Sequence, residues 1–166
     1  MDAPRGRFGR LGPLVVAGIA LGIGLGGFVD GILLHQVLQW HHMLTAHEEY
    51  AATTVHNLEV NTLWDGLFHT GTWVFTVLGV GYLWRAGRME GVRWSGIAFV
   101  GALAGGWGLF NLVEGIVDHH ILGIHHVRDD LGGPLAWDLG FLVFGALLVL
   151  GGAMLIRAAA ARGDQR

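Results

Sequence analysis

The sequence predicts an all-α fold, namely a polytopic membrane protein built as a four-transmembrane-helix bundle. Composition is the first observation, since 52% of the 166 residues are hydrophobic and only 14% are charged. The second is the presence of four apolar stretches, each reaching the roughly 20 residues that span a bilayer as a helix. These stretches are residues 14–34, 63–84, 94–116 and 135–156. The third is the length of the chain, which predicts a single membrane domain over residues 1–166, and so apolar a chain is not an ordinary soluble domain.

The four helices differ in their residue patterns. In the first, Gly18, Gly22 and Gly26 recur at four-residue spacing, and small residues at that spacing let helix backbones approach closely. The second carries a polar stripe that includes Asp65 and His69, on an otherwise apolar helix. The third is again rich in glycine. The fourth begins beside Pro134, which favours the first turn of a helix.

Nine of the ten basic residues predict the orientation. They lie before the first span, between the second and third, and after the fourth, as Arg5, Arg7, Arg10, Arg85, Arg88, Arg93, Arg157, Arg162 and Arg166. Basic residues mark the cytoplasmic side, so both termini are expected there. The opposite loops carry only Arg128 and several acids. We therefore expect a bacterial inner (cytoplasmic) membrane protein whose partner is the lipid bilayer, with no nucleic-acid partner.

An internal duplication stands out within this pattern. Residues 30–43, "DGILLHQVLQWHHM", align with residues 114–127, "EGIVDHHILGIHHV", at a constant offset of 84 residues. The alignment pairs Asp30 with Glu114 and His35 with His119, and it pairs the two His-His dipeptides. It predicts two tandem helical hairpins, residues 1–84 and 85–166, related by a pseudo-twofold axis along the membrane normal.

α-Helical geometry sorts the histidines of each copy into two stripes, because seven residues make nearly two turns and eleven make nearly three. His35 would share a stripe with His42, and Asp30 would share one with His41. The second copy gives the same pairs, His119 with His126 and Glu114 with His125.

These residues suggest a metal site, because an ionised carboxylate at membrane depth is costly unless it is paired. Imidazole and carboxylate together suit copper, zinc or iron, and the chain has no cysteine. The predicted ligands are His35, His42, His69, His119, His126, Asp65 and Asp138. Four more residues are predicted as deep ligands or as partners that orient an imidazole: Asp30, Glu114, His41 and His125. The rival interpretation is a hydrogen-bond network without metal, with Asp65 and Asp138 as acids that favour a helix start.

At "DGILLHQVLQWHH", "NTLWDGLFH" and "EGIVDHHILGIHH" the sequence resembles a bacterial family of predicted four-helix membrane proteins of unassigned function. Their shared signature is a duplicated [DE]-G-x3-H-x5-H-H motif. The resemblance covers essentially the whole chain and implies the topology, but it offers no activity to carry over.

Three functions stay open from the sequence. The first is a mono- or dinuclear metal site near the outer leaflet; in an enzyme, it would activate water or oxygen for a lipid-like or quinone-like substrate. The second is a b-type haem electron-transfer protein with His35 and His119 as axial ligands. The third is a proton or ion pathway. The sequence assigns neither a catalytic residue nor an oligomeric state.

Overall fold

Four long helices follow one another along the chain. The structure, a computed structural model, describes residues 7–162, with side chains from residue 10 onward. Arg5 and Arg166, which contributed to the predicted orientation, lie outside the described residues, as does the side chain of Arg7. The helices are α1 (Arg7–Val29), α2 (Val55–Gly87), α3 (Gly96–Glu114) and α4 (Leu135–Arg162). The described part of the chain contains no β-strand, so the all-α prediction is confirmed.

Three helical stretches are long and apolar enough to cross a membrane: Arg10–Val37, Gly96–Ile121 and Leu135–Arg162. α2 is longer, at 33 residues, but polar side chains such as Asn61, Asp65 and Thr72 lie along it and lower its mean hydropathy. The chain therefore has the features of a helical membrane protein. Its fourth span stays a prediction.

α1 and α3 form the centre of the bundle. α1 packs against both α2 and α3, and α3 packs against α4. Within the described residues the backbone of α2 does not approach that of α3 or α4 closely, although the side chains of Phe68 and Phe110 join α2 to α3. The central pair meets closely at Gly22 and Gly106, because a Cβ on either would clash with the backbone of the opposite helix. Gly18 and Gly26 also face α3, so the predicted role of these glycines in packing is confirmed.

Both central helices end in a π-helical segment, in which each turn holds more residues than an α-helical turn. α1 continues as Asp30–Val37, and α3 continues as Gly115–Ile121. Each segment ends just before a residue in the left-handed region, Gln39 with φ 52° and Gly123 with φ 59°. A left-handed residue commonly ends a helix, because it turns the chain away from the helix axis.

The ends of these segments overturn the predicted histidine stripes. His41 and His42 lie beyond the last helical residue of the first segment, and His125 and His126 lie beyond that of the second. Neither pair is on a helix, so the seven- and eleven-residue spacings do not place them on helix faces. The prediction failed because it continued the α-helix through the whole motif.

Candidate metal centre

The two loops that follow the π-helical segments fold back into the end of the bundle and bind each other. His41 Nδ1 donates a hydrogen bond to the Val127 carbonyl at 3.0 Å, and His125 Nδ1 donates one to the Met43 carbonyl at 3.3 Å. Each loop thereby carries the first histidine of its His-His pair into the core. His41 is 2% exposed and His125 is 1% exposed.

Six buried side chains cluster at this point, one carboxylate and two imidazoles from each copy of the motif. They are Asp30, His35, His41, Glu114, His119 and His125. The four rings form a continuous row in the order 35, 41, 125 and 119, with successive centroids 4.4, 4.7 and 4.9 Å apart.

Two sets of three residues within this six-residue cluster can each direct one ligand atom to a common point. His35, His41 and His125 form one set, and Glu114, His119 and His125 form the other. Within each set the ligand atoms lie within 4.8 Å of one another. Buried sets with this geometry could hold a metal ion.

The carboxylates lie against the Nε2 side of the rings. Asp30 Oδ2 is 3.2 Å from His35 Nε2. In the second copy Glu114 Oε1 lies 2.9 Å from Nε2 of both His119 and His125. Oxygen and nitrogen ligand atoms therefore face the same small region, which is the arrangement that a coordinated cation requires.

The Nδ1 side of the rings faces outward to acceptors. His41 and His125 use it to reach backbone carbonyls, and His35 Nδ1 lies 3.0 Å from Asp65 Oδ1. His119 Nδ1 lies 3.5 Å from Asp138 Oδ1, which is an ionic contact rather than a hydrogen bond. Metal-bound histidines typically donate one ring N–H to a carboxylate or a carbonyl and coordinate through the other nitrogen.

The tautomer of His41 follows from this contact. A carbonyl oxygen only accepts, so Nδ1 carries the proton and the neutral ring has its lone pair on Nε2. Burial lowers the pKa of His41 well below its usual value, and the neighbouring His125 and His35 act in the same direction. The ring is therefore held neutral, which is the form that binds metal.

Several inward-facing atoms of the cluster lack a hydrogen-bond partner among the described residues. They are Asp30 Oδ2, His35 Nε2, His41 Nε2, Glu114 Oε2 and His119 Nε2. Some of them lie within ion-pair distance of each other but are not aligned for a hydrogen bond. Leaving a buried polar atom unpaired costs about 1–3 kcal/mol. A ligand that satisfies several of them at once would remove that cost.

Four of the predicted ligands lie one layer outside the cluster. His42 Nδ1 donates to Asp65 Oδ2, and His126 Nδ1 donates to Asp138 Oδ2, both at 2.7 Å. Asp65 also accepts the Met43 amide, as Asp138 accepts the Val127 amide, each at 3.0 Å. These four residues fix the loops and the outer side of the rings. Of the seven predicted ligands, the cluster contains His35 and His119.

His69 is the seventh predicted ligand, and the structure does not bring it to the cluster. Its ring stacks on Phe28 with centroids 6.1 Å apart, and its Nε2 packs closely against Gly31. In α4 the residue at the corresponding place is Leu142, so this histidine belongs to one repeat only.

Sequence reasoning missed two polar residues beside the cluster. Asn111 is buried on α3, three residues before Glu114, and Asp118 directly precedes His119. Each interrupts the apolar pattern of the third span. That interruption was the available signal.

A family model described as "Predicted membrane protein (DUF2243)" matches residues 17–159, which include all six residues of the cluster. The chain belongs to this family. Membership in DUF2243 agrees with an apolar helical architecture and supplies no function. No curated protein and no solved structure matches the chain.

Proposed function

We propose that this protein is an integral membrane metalloprotein that holds one or two transition-metal ions in the six-residue cluster. One observation carries the proposal. Four buried imidazoles turn Nδ1 outward to carbonyl or carboxylate oxygens, while their Nε2 atoms and two carboxylates face one another. Among the described residues, the only one of these inward contacts aligned as a hydrogen bond joins His125 Nε2 to Glu114 Oε1. An arrangement that only stabilised the bundle would pair most of the inward-facing atoms in this way.

The ligand set supports iron, zinc or copper as the ion. Each repeat supplies two imidazoles and one carboxylate, the set that non-haem iron(II) proteins use when coordination positions stay open. An open position would let the metal activate water or oxygen. The cluster would then be a catalytic centre on a lipid-like or quinone-like substrate.

The membrane placement is part of the same proposal. α2 would be the fourth span, the two hairpins would be related by the pseudo-twofold axis, and both termini would face the cytoplasm of a bacterium. Arg85, Arg88 and Arg93 lie at the opposite end of α2 and α3 from the cluster, which supports a cluster near the outer leaflet of the inner membrane.

The other two functions receive less support. A haem held by His35 and His119 would have to occupy the space between those rings, where His41 and His125 lie. A proton or ion pathway would need ionisable groups beyond the cluster, and residues 11–29 of α1 and 96–113 of α3 contain none.

Elemental analysis of the detergent-purified protein, together with a visible absorption spectrum, tests the proposal. We expect one or two transition-metal ions per chain and no Soret band. His41→Ala combined with His125→Ala should abolish metal binding. His42→Ala combined with His126→Ala should weaken it by about 10–100-fold, as expected for residues that orient ligands.

The matched control is His47→Ala combined with His56→Ala, which removes two exposed histidines outside the cluster, one in the loop before α2 and one in its first turn, and should leave metal content unchanged. Thermal unfolding of each variant shows whether it is folded. A wild-type protein without stoichiometric metal, or a folded His41/His125 variant that keeps its metal, would contradict the proposal. A Soret band would favour the haem alternative.

A further inference from the structure

An apolar cleft opens between α2 and α3, whose backbones do not approach closely within the described residues. Its volume is about 430 Å³, and its walls include Phe68 and Phe75 of α2 and Phe110 and Val113 of α3. Glu114 of the cluster also lines it. Val113 is 61% exposed, so the cleft joins the outer surface of the bundle to the proposed metal centre.

A smaller cleft lies between α1 and α4, with a volume of about 150 Å³. It borders Asp30, the carboxylate equivalent to Glu114. At the 84-residue offset, five residues of the larger cleft correspond to five of the smaller one: Ile23 to Trp107, Phe110 to Gly26, Val113 to Val29, Glu114 to Asp30 and Asp118 to Leu34. Each carboxylate of the cluster thus borders one apolar cleft, and only the larger cleft contains a second carboxylate.

Size and wall chemistry favour the larger cleft as a ligand site. Ligand pockets usually measure about 300–1,000 Å³, and the smaller cleft is below that range. Phe68 and Phe110 contact each other in the wall of the larger cleft, with ring centroids 5.9 Å apart and planes tilted by 55°. Phe68 also stacks on His35, with centroids 5.5 Å apart and planes 14° apart. A flat aromatic ring suits walls of this kind.

Asp118 is the second carboxylate that lines the cleft, beside Glu114. Its side chain is half-buried, and no side chain among the described residues donates a hydrogen bond to it. A carboxylate in apolar surroundings accepts hydrogen bonds strongly and gains most from a hydroxyl or another donor. An occupant that is apolar along its length and carries a donor at its head matches both features.

We propose that the α2–α3 cleft binds, from the lipid side, an apolar molecule with a hydroxylated aromatic head, such as a hydroquinone, whose hydroxyl group hydrogen-bonds to Asp118. This inference deepens the proposed function and rests on it, since it names the substrate class of the metal centre and places the head beside Glu114. The cleft between α1 and α4 does not take this ligand.

Isothermal titration calorimetry of the detergent-purified, metal-loaded full chain with a decyl hydroquinone tests the inference. We expect saturable binding to the wild type. Asp118→Leu, which installs the residue found at the equivalent position 34, should weaken binding about tenfold, the effect of losing one hydrogen bond. Val113→Trp should abolish binding by filling the cleft. Its matched control, Val29→Trp in the smaller cleft, should bind like the wild type.

Metal content is measured on every variant, so that the two proposals can fail separately. If Asp118→Leu and Val113→Trp keep their metal and bind the probe like the wild type, the cleft inference is overturned and the metal centre stands. If the purified protein holds no metal, but the wild type and the variants bind the probe as expected, the proposal of a metal centre is contradicted and the proposal of a ligand site in the cleft is supported. Decanol, which lacks the ring, is the control ligand. Equal affinity for decanol would contradict the proposal that the cleft recognises an aromatic head group.

Discussion

In the first repeat Asp65 accepts hydrogen bonds from His35, from Gln36 and from the loop that carries His42. In the second repeat Asp138 holds the corresponding loop, but His119 Nδ1 lies 3.5 Å away, and an exposed histidine replaces the glutamine. The two repeats therefore use equivalent residues, but the contact between Asp138 and His119 is longer than the one between Asp65 and His35. The comparison indicates that outer contacts position the first pair of imidazoles more firmly than the second.

For the inner carboxylates, Asp30 and Glu114, the second repeat has the shorter and more numerous contacts. Asp30 reaches one imidazole, at 3.2 Å, whereas Glu114 reaches His119 and His125 at 2.9 Å each. Glutamate has one more methylene group than aspartate, so its carboxylate extends between two rings. The imidazoles of the first repeat are thus held mainly by the outer carboxylate Asp65, and those of the second mainly by the inner carboxylate Glu114.

The largest effect is expected when the outer carboxylates, Asp65 and Asp138, are removed. Asp65→Ala leaves two imidazoles and a backbone amide without their acceptor, and breaking a buried pair in this way costs about 3–5 kcal/mol. Asp138→Ala should cost less, because it strands fewer donors. Thermal unfolding in one detergent measures both. Equal losses would show that the two outer networks have the same strength.

Substitutions at the interface between the repeats should instead act equally. Gly22→Val and Gly106→Val each place side-chain atoms against the opposite backbone, and overpacking of this kind costs about 1–3 kcal/mol. Gly81→Ala on α2, where nothing lies within 4 Å, is the control and should be neutral or stabilising. The measurement is the midpoint of thermal unfolding. A large difference between the two valine variants would argue that the repeats are not equivalent at this interface.

A smaller effect is expected from shortening the inner carboxylate. Glu114→Asp should lose contact with one of its two rings and lower metal affinity by about tenfold, the loss expected for one charged contact. Asp30→Glu should change the affinity less, because it removes no contact. Competition with a chelator of known affinity gives both values. Equal metal affinities of the two variants would show that the longer side chain of Glu114 does not position His119 and His125.

The smallest effect concerns the residues that end the π-helical segments. Gln39→Gly should stabilise the protein by about 0.5–1 kcal/mol, because glycine adopts a positive φ without strain. Gly123→Ala should destabilise it by at least that amount, for the converse reason. Thermal unfolding measures both shifts. Shifts of the same sign would show that backbone conformation is not the governing factor at these positions.

Three of the four predicted spans and the glycine packing could be predicted from the sequence, because hydropathy and four-residue spacing depend on local composition. The identity of the clustered residues was harder to predict. His41 and His42 are adjacent and chemically identical, so only the backbone path decides which ring enters the core. A π-helical segment changes that path, and the apolar residues of the motif give no sign of it. The cluster therefore takes His41 and His125, while their neighbours His42 and His126 contact Asp65 and Asp138 from outside.

The acids of α2 and α4 are more deeply buried than a role at a helix start requires. Asp138 lies in the first turn of α4, where an acid has an ordinary explanation, but Asp65 lies well inside α2. Each is 1% exposed and binds a loop. Asp30 and Glu114 were placed deepest by counting residues, and they do lie on the inner side of the cluster. Residue counting works along a helix, but it cannot reveal where a loop returns.

The arrangement of α1 and α3 at the centre has a consequence for assembly. Each hairpin carries one carboxylate and two imidazoles of the cluster, so neither hairpin alone has all six of its residues. Because both hairpins belong to one chain, the second binds the first at the high effective concentration of a tethered partner. The cluster is completed within a single polypeptide, and its formation does not depend on how many copies of the protein a membrane contains.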